Sequence, residues 1–184
     1  MSKIIVVDYD PKWKEIFENY KVQYLEIMKD IEVDIQHVGS TSINGLAAKP
    51  IIDIDIIVEE DYSLECVIEK LKILGYKHRG DLGITGREAF KLKQPNSKFE
   101  YQHNLYAGKR ESLGIQNHLK FRNYLRHNPK DVREYSKLKK GLARDYEFDI
   151  DSYIDGKTDF IVGILKCCGM TDREQNVILE QNKL

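Results

Sequence analysis

The chain has 184 residues, a formal net charge of −1, 41% hydrophobic and 32% charged residues, and three cysteines, two of them adjacent. That length suffices for a buried core of its own, the near-neutral charge excludes a global attraction to nucleic acid or anionic membrane, and the cysteines exclude a disulfide framework. The start MSKIIVVDYD has too short an apolar run for a signal peptide, no stretch approaches the roughly 18 apolar residues of a membrane helix, and a reducing cytoplasm is the expected setting.

Residues 3–8 read as a short extended arm. Asp10 and Pro11 supply a helix start, with Asp as cap and Pro at the first helical position. Trp13, Ile16, Phe17, Tyr20, Tyr24, Ile27 and Met28 follow at spacings of three and four, so they form one apolar helix face. Trp13 on this stripe is read as core rather than as a ligand platform. Residues 33–38 read as a strand in which His37 shares a face with Val33 and Ile35 and is structural. A Gly39-Ser40 turn and a connection over 41–49 come next. Asn44-Gly45 marks a break there, and Leu46 to Ala48 are expected to form one helical turn. Pro50 limits Lys49 to extended geometry. Strand 51–58 then places Asp53 and Asp55 on one face and Ile52, Ile54, Ile56 and Val58 on the other.

Leu64, Val67, Ile68, Leu71 and Leu74 predict a helix over 62–74, stopped by Gly75. Strand-like ends at 76–78 and 89–92 bracket a glycine-rich loop from Gly80 to Gly86. Gln94 to Ser97 read as a polar turn and 99–107 as another strand. Helices are predicted over 114–126, 129–146 and 151–168, and the polar tail after Gly169 is either frayed or a short helix. The class is therefore α+β: a mixed-sheet core over 1–110 and a helical C-terminal part over 111–184. No Pro-, Gly- or Ser-rich linker divides them, so the two are expected to pack together.

The chemistry centres on residues 37–58. Asp53 and Asp55 lie roughly 7 Å apart at Cα by strand rise, close enough to hold one or two hard divalent cations. The other reading of such a pair is a polar, solvent-facing strand. Gly39, Ser40, Thr41 and Ser42 offer backbone N–H groups and hydroxyls, which suit phosphate. Lys49 either neutralises a triphosphate or is a solvated surface lysine. Arg87 either closes over a phosphate with bidentate bonds or is a hairpin-surface charge. Lys157 reaches either the cleft or solvent. The segment 120–144 is basic and the stretch after it acidic. Intramolecular charge balance is preferred there over an RNA-binding patch.

The stretch HVGSTSINGLAAKPIIDIDIIV resembles the signature of the GrpB family, as do YDPKWKEIFE, GITGREAFKL, FRNYLR, KLKKGLA and GKTDFI, so the resemblance spans nearly the whole chain. That family is similar to the nucleotidyltransferase superfamily. The resemblance implies a nucleotidyltransferase-like small mixed sheet flanked by helices. It also implies metal-dependent transfer of a nucleotidyl group from a nucleoside triphosphate, with Mg²⁺ (or Mn²⁺), to an acceptor it does not identify. Gly39 and Ser40 match the phosphate-side turn, and Asp53 and Asp55 the catalytic metal pair. The superfamily takes a third carboxylate from a later strand, but FEYQHNLYA has no Asp. Relatives tend to be histidine-rich here; this chain keeps His103 and has Tyr106 where another histidine often sits. His103 is the expected base or supplementary ligand. Glu100, the only acid on that strand, would face opposite to it. The missing aspartate motivates an alternative: a catalytically degenerate nucleotide- or phosphate-binding protein. The basic segment motivates a third, an RNA- or protein-interaction module.

Overall fold

β2 (Ile52–Val58) alternates between two environments, and the rest of the chain is layered on its two faces. Ile52, Ile54, Ile56 and Val58 are at most 1% exposed. The computed structural model describes residues 2–94, 98–171 and 173–174. Five strands form one mixed sheet in the order β1-β2-β5-β4-β3, with β1 at Asp34–Val38, β3 at Tyr76–His78, β4 at Arg87–Leu92 and β5 at His103–Lys109. β2 and β5 are parallel and the other neighbours antiparallel.

The apolar face is covered by α1 (Lys12–Ile27) and α2 (Asp61–Ile73). The expected stripe of α1 is buried there through Trp13, Phe17, Tyr20 and Tyr24. α3 (Leu113–His127) lies against β1 and β4, and packs with α4 (Pro129–Asp145) and α5 (Ile150–Cys167). A second apolar cluster joins Ile43 and Leu46 of the connection to Leu125, Val132, Tyr135 and Ile164 of these helices. This is the α+β arrangement expected: a small mixed sheet flanked by helices, then a helical C-terminal part. No described helix is long and apolar enough to cross a membrane.

The arm before α1 is tied at two points. Val7 and Ala48 exchange backbone hydrogen bonds at 2.9 Å, and Ile4 N–H donates to Glu147 O at 2.8 Å. Ile4 also packs with Ala143 and Tyr153. The helical turn expected at Leu46–Ala48 is therefore displaced: Ala48 is a bridge residue, and a single 3₁₀ turn occupies Ser40–Ser42 instead.

The strand expected over 99–107 runs from His103 to Lys109. Phe99 is buried among the rings of Tyr20, Tyr24 and Tyr76. Tyr101 bonds through its backbone to the Tyr20 hydroxyl, donating at 2.6 Å and accepting at 3.0 Å. Side-chain packing thus takes these residues out of the ladder. β4 begins two residues earlier than expected, at Arg87. Of the polar turn expected at Gln94–Ser97, residues 95–97 lie outside the described residues, as does most of the tail after Gly169.

Buried polar groups on the apolar face form a chain. His103 Nδ1 is 3.0 Å from the Tyr101 carbonyl, which can only accept, so Nε2 accepts from Tyr76 at 2.5 Å. Tyr76 is in turn 2.6 Å from the Tyr24 hydroxyl. Burial raises both tyrosines and lowers His103, so all three are neutral. Tyr76→Phe removes the central hydroxyl and strands two buried partners. It should cost about 1–3 kcal/mol, read as a lowered urea midpoint at unchanged m-value.

Candidate phosphate and metal cleft

The β2–β5 register sets which side chains share the second face. Asp53 lies beside Asn104 and Asp55 beside Tyr106, while His103 lies beside Ile52. Arg87 of β4 pairs with Gly108 and so joins the Asp face. His103 therefore belongs to the apolar face and does not share a site with the two aspartates, contrary to the sequence expectation. Glu100 precedes β5, is exposed, and is not among the cleft residues.

The turn at Gly39 is pressed against Asp53. Gly39 has φ 66°, and a Cβ there would run into the Asp53 carboxylate. Of the three hydroxyls expected at the phosphate side, one serves the cleft. Ser40 Oγ accepts from Lys139 Nζ at 2.7 Å. Thr41 Oγ1 is committed to the Ile51 carbonyl and His37, and Ser42 Oγ donates to the Gly39 carbonyl at 2.7 Å. His37 is buried, stacked on Phe17, and structural as expected.

Two recesses meet at Ser40, Asp53, Tyr135 and Lys157. The smaller, about 190 Å³, brings in Lys49, Lys139 and Asn104. Lys139 is 2% exposed, over the Tyr135 ring at 4.5 Å; Lys157 sits 4.3 Å and Lys49 5.9 Å from the centre of the Tyr153 ring. Such stacking partly replaces lost water. Even so, burial, with Lys157 nearby, drives the Lys139 amine well below its ordinary range. Burial and Lys49 pull Lys157 down to about 8. None of the three forms an ion pair among the described residues. Burial raises the Asp53 carboxyl, opposed by Asn104, which donates to it at 2.8 Å.

The larger recess, about 340 Å³, holds Arg87, Tyr106, Asn117 and His118. His118 Nδ1 lies 2.9 and 3.1 Å from the two oxygens of Asp55, which is fully buried. A carboxylate only accepts, so Nδ1 carries a proton toward Asp55 and Nε2 is the nitrogen turned away from it. Arg87 Nη1 approaches that Nε2 at 3.4 Å, with the guanidinium 4.4 Å over the Tyr106 ring. Burial pushes the Tyr106 hydroxyl up to about 12.

Asp53 and Asp55 are hard oxygen donors on one strand face. Among the described residues no group of three His, Cys, Asp or Glu converges to hold an ion. Mg²⁺ commonly takes one or two carboxylates and completes its shell with water and substrate phosphates. Asp53 lines both recesses, whereas Asp55 lines neither and has both oxygens at His118 Nδ1, so the cleft opens one carboxylate to an ion shared with a phosphate ligand, with Asp55 held behind it.

Asn104, His118 and Lys139 escaped the sequence reading. The signal for two of them was there: Gly114, Ile115, His118 and Arg122, and likewise Val132, Tyr135, Lys139 and Ala143, recur at helical spacing. A histidine or lysine on a buried stripe marks a group turned inward. The basic run is dispersed: Lys139 enters the cleft, while Lys130, Lys140 and Arg144 pair with Glu134, Asp8 and Asp145.

The family model described as GrpB protein matches residues 3–167. The chain belongs to the GrpB family. It is 36% identical to the glutamate-rich protein GrpB of Alkalihalophilus pseudofirmus over 165 residues, covering 89% of this chain and 95% of that protein. It is 37% identical to the UPF0157 protein YqkA of Bacillus subtilis over 159 residues, which are 86% of this chain but only 45% of YqkA. A crystal structure of GrpB from Enterococcus faecalis superposes with a TM-score of 0.74 at 33% identity, covering 96% of this chain and 98% of that one.

In this GrpB-family chain, Gly39→Ala should unseat Asp53. With ψ −172°, the Gly39 backbone is one that a residue with a Cβ rarely adopts and alone costs about 1–3 kcal/mol, and the clash adds to it. A lowered melting temperature, read by calorimetry, is the expected result.

Proposed function

We propose that the cleft binds a nucleoside triphosphate and transfers its nucleotidyl group to an acceptor. The observation that carries this reading is the trio Lys49, Lys139 and Lys157 around Ser40 and Asp53, Lys139 buried and the other two half-buried, with no ion pair for any of the three among the described residues. Unpaired buried ammonium groups are costly, and a polyphosphate supplies the missing negative charge.

The Gly39-Ser40 turn and the lysines would hold the phosphates, with Arg87 reaching them from the far wall. Asp53, with Asp55 behind it, would hold Mg²⁺ or Mn²⁺, which would supply charge neutralisation and polarise the phosphorus–oxygen bond that breaks. His118 takes the role expected of His103. Asp55 fixes its Nδ1 proton, and Nε2 would accept the proton of an incoming hydroxyl or amine once Arg87 leaves it for the phosphates. The remaining contribution is positioning and fixed positive charge. A second reading, binding without turnover, is favoured by one feature: β5 presents Asn104 and Tyr106 to this face and no carboxylate.

Thermal shift with each of ATP, GTP, CTP and UTP, with and without Mn²⁺, tests binding; a ligand at a hundred times its Kd adds about 2.7 kcal/mol. Mn²⁺ alone should shift the melting point little, because among the described residues no group of three ligands converges to hold it. The metal-dependent increment should vanish in Asp53→Asn. Pyrophosphate release then separates transfer from binding alone, and absence of any shift with all four nucleotides overturns both readings.

Lys157 adds a pH signature. Its folded value of about 8 lies below that of a free lysine, so the unfolded chain holds the extra proton between about 8 and the ordinary lysine range. On account of this group, stability of the free protein rises with pH through that window. Triphosphate affinity does the opposite, falling above about pH 8 as the ammonium is lost. Calorimetry in buffers of different ionisation enthalpy should show proton uptake on binding there, and Lys157→Gln should reduce it, leaving the share that Lys139 takes up.

A further inference from the structure

Behind the Ser40–Ser42 turn lies a second basic hollow, about 530 Å³, between α1 and α3 at the edge strand β1. Lys14 and Lys21 of α1 and Arg122 and Arg126 of α3 line it. Glu18 is the one carboxylate on its wall, yet among the described residues none of the four cations forms an ion pair. The bonds of the two arginines go to neutral oxygens. Arg122, 7% exposed, donates through Nη1 to Gln36 Oε1 at 2.7 Å and to the His37 carbonyl at 2.9 Å, and through Nε to Asn123 at 3.0 Å. Arg126 donates to the Ser42 carbonyl from Nη2 at 3.0 Å and Nε at 3.3 Å. Burial, with Arg126 beside it, lowers Arg122 to about 10. Two guanidinium groups lie side by side, with Asp34 and Asp55 acting on Arg122 only at a distance and no ion pair formed, which leaves part of the positive charge here uncompensated.

The spacing bears on the size of the missing anion. Lys14 and Lys21 are two helical turns apart, roughly 10 Å, and Arg122 and Arg126 about one turn, roughly 6 Å. A row of that length exceeds one small ion. Guanidinium groups, with their planar fork of donors, favour phosphate oxygens. We propose that this hollow binds an extended chain of phosphates, as in single-stranded nucleic acid or linear polyphosphate. The site is independent of the nucleotidyl-transfer reading. It is joined to the cleft mechanically: the arginines grip the carbonyls of His37 and Ser42, which flank the turn presenting Ser40.

The test is fluorescence anisotropy of a short labelled single-stranded RNA on the full chain over a range of salt, with competition by linear polyphosphate, orthophosphate and poly-glutamate. Lys14→Gln/Lys21→Gln changes side chains away from the turn, and Arg126→Gln removes the grip on Ser42. Each cation lost should lower the slope of log affinity against log salt by about 0.7, with unchanged melting curves for the lysine pair. Lys157→Gln, in the cleft, should leave that slope intact. RNA binding that polyphosphate does not displace identifies nucleic acid as the source; binding of polyphosphate alone identifies the free polymer. The proposal is overturned if neither binds, if poly-glutamate competes as well as polyphosphate, or if only Lys157→Gln reduces the slope.

Discussion

Parallel pairing between β2 and β5 organises the molecule. Because side chains alternate along a strand, one register decides two neighbourhoods at once. With Asp53 beside Asn104 and Asp55 beside Tyr106, the polar residues converge under the C-terminal helices, while Ile52, Leu105 and His103 face α1 and α2. A slip of one residue would bring His103 to the aspartates and drive Asn104 and Tyr106 into the apolar layer. The isoleucine row and the Tyr24–Tyr76–His103 chain on one face, and the Asn104–Asp53 bond on the other, all act against that slip.

The roof gives the aspartate face its chemistry. α4 and α5 bring Lys139 and Lys157 down beside Ser40 and Asp53, and aromatic rings from the same helices lie beneath the ammonium groups. α3 brings His118 to Asp55. Each of these groups loses water on folding, and the structure restores only part of what is lost: one hydroxyl for Lys139, ring faces for the lysines, one imidazole for Asp55. Such incomplete compensation is common where a site is built for a charged guest.

The alternation in residues 51–58, the apolar stripes and the Gly39 turn were legible because local geometry produces them. The family signature tied the same residues to one family. The partner of each strand was not legible, and with it went His103, whose facing depends on where β5 begins. That start was set by Phe99 and Tyr101, drawn out of the ladder by the rings of Tyr20, Tyr24 and Tyr76. His118 and Lys139 were visible only as polar residues on buried helical stripes. Their destinations lie 63 and 99 residues away in the chain, beyond the reach of any local pattern.

The arm that ties Val7 to Ala48 and Ile4 to Glu147 reaches the cleft through one ring. Ile4 packs against Tyr153, and Tyr153 is the ring beneath Lys157. The lysine wall is thus braced by residues from elements far apart in the chain. Loosening the arm would loosen that wall without altering any residue that lines the cleft.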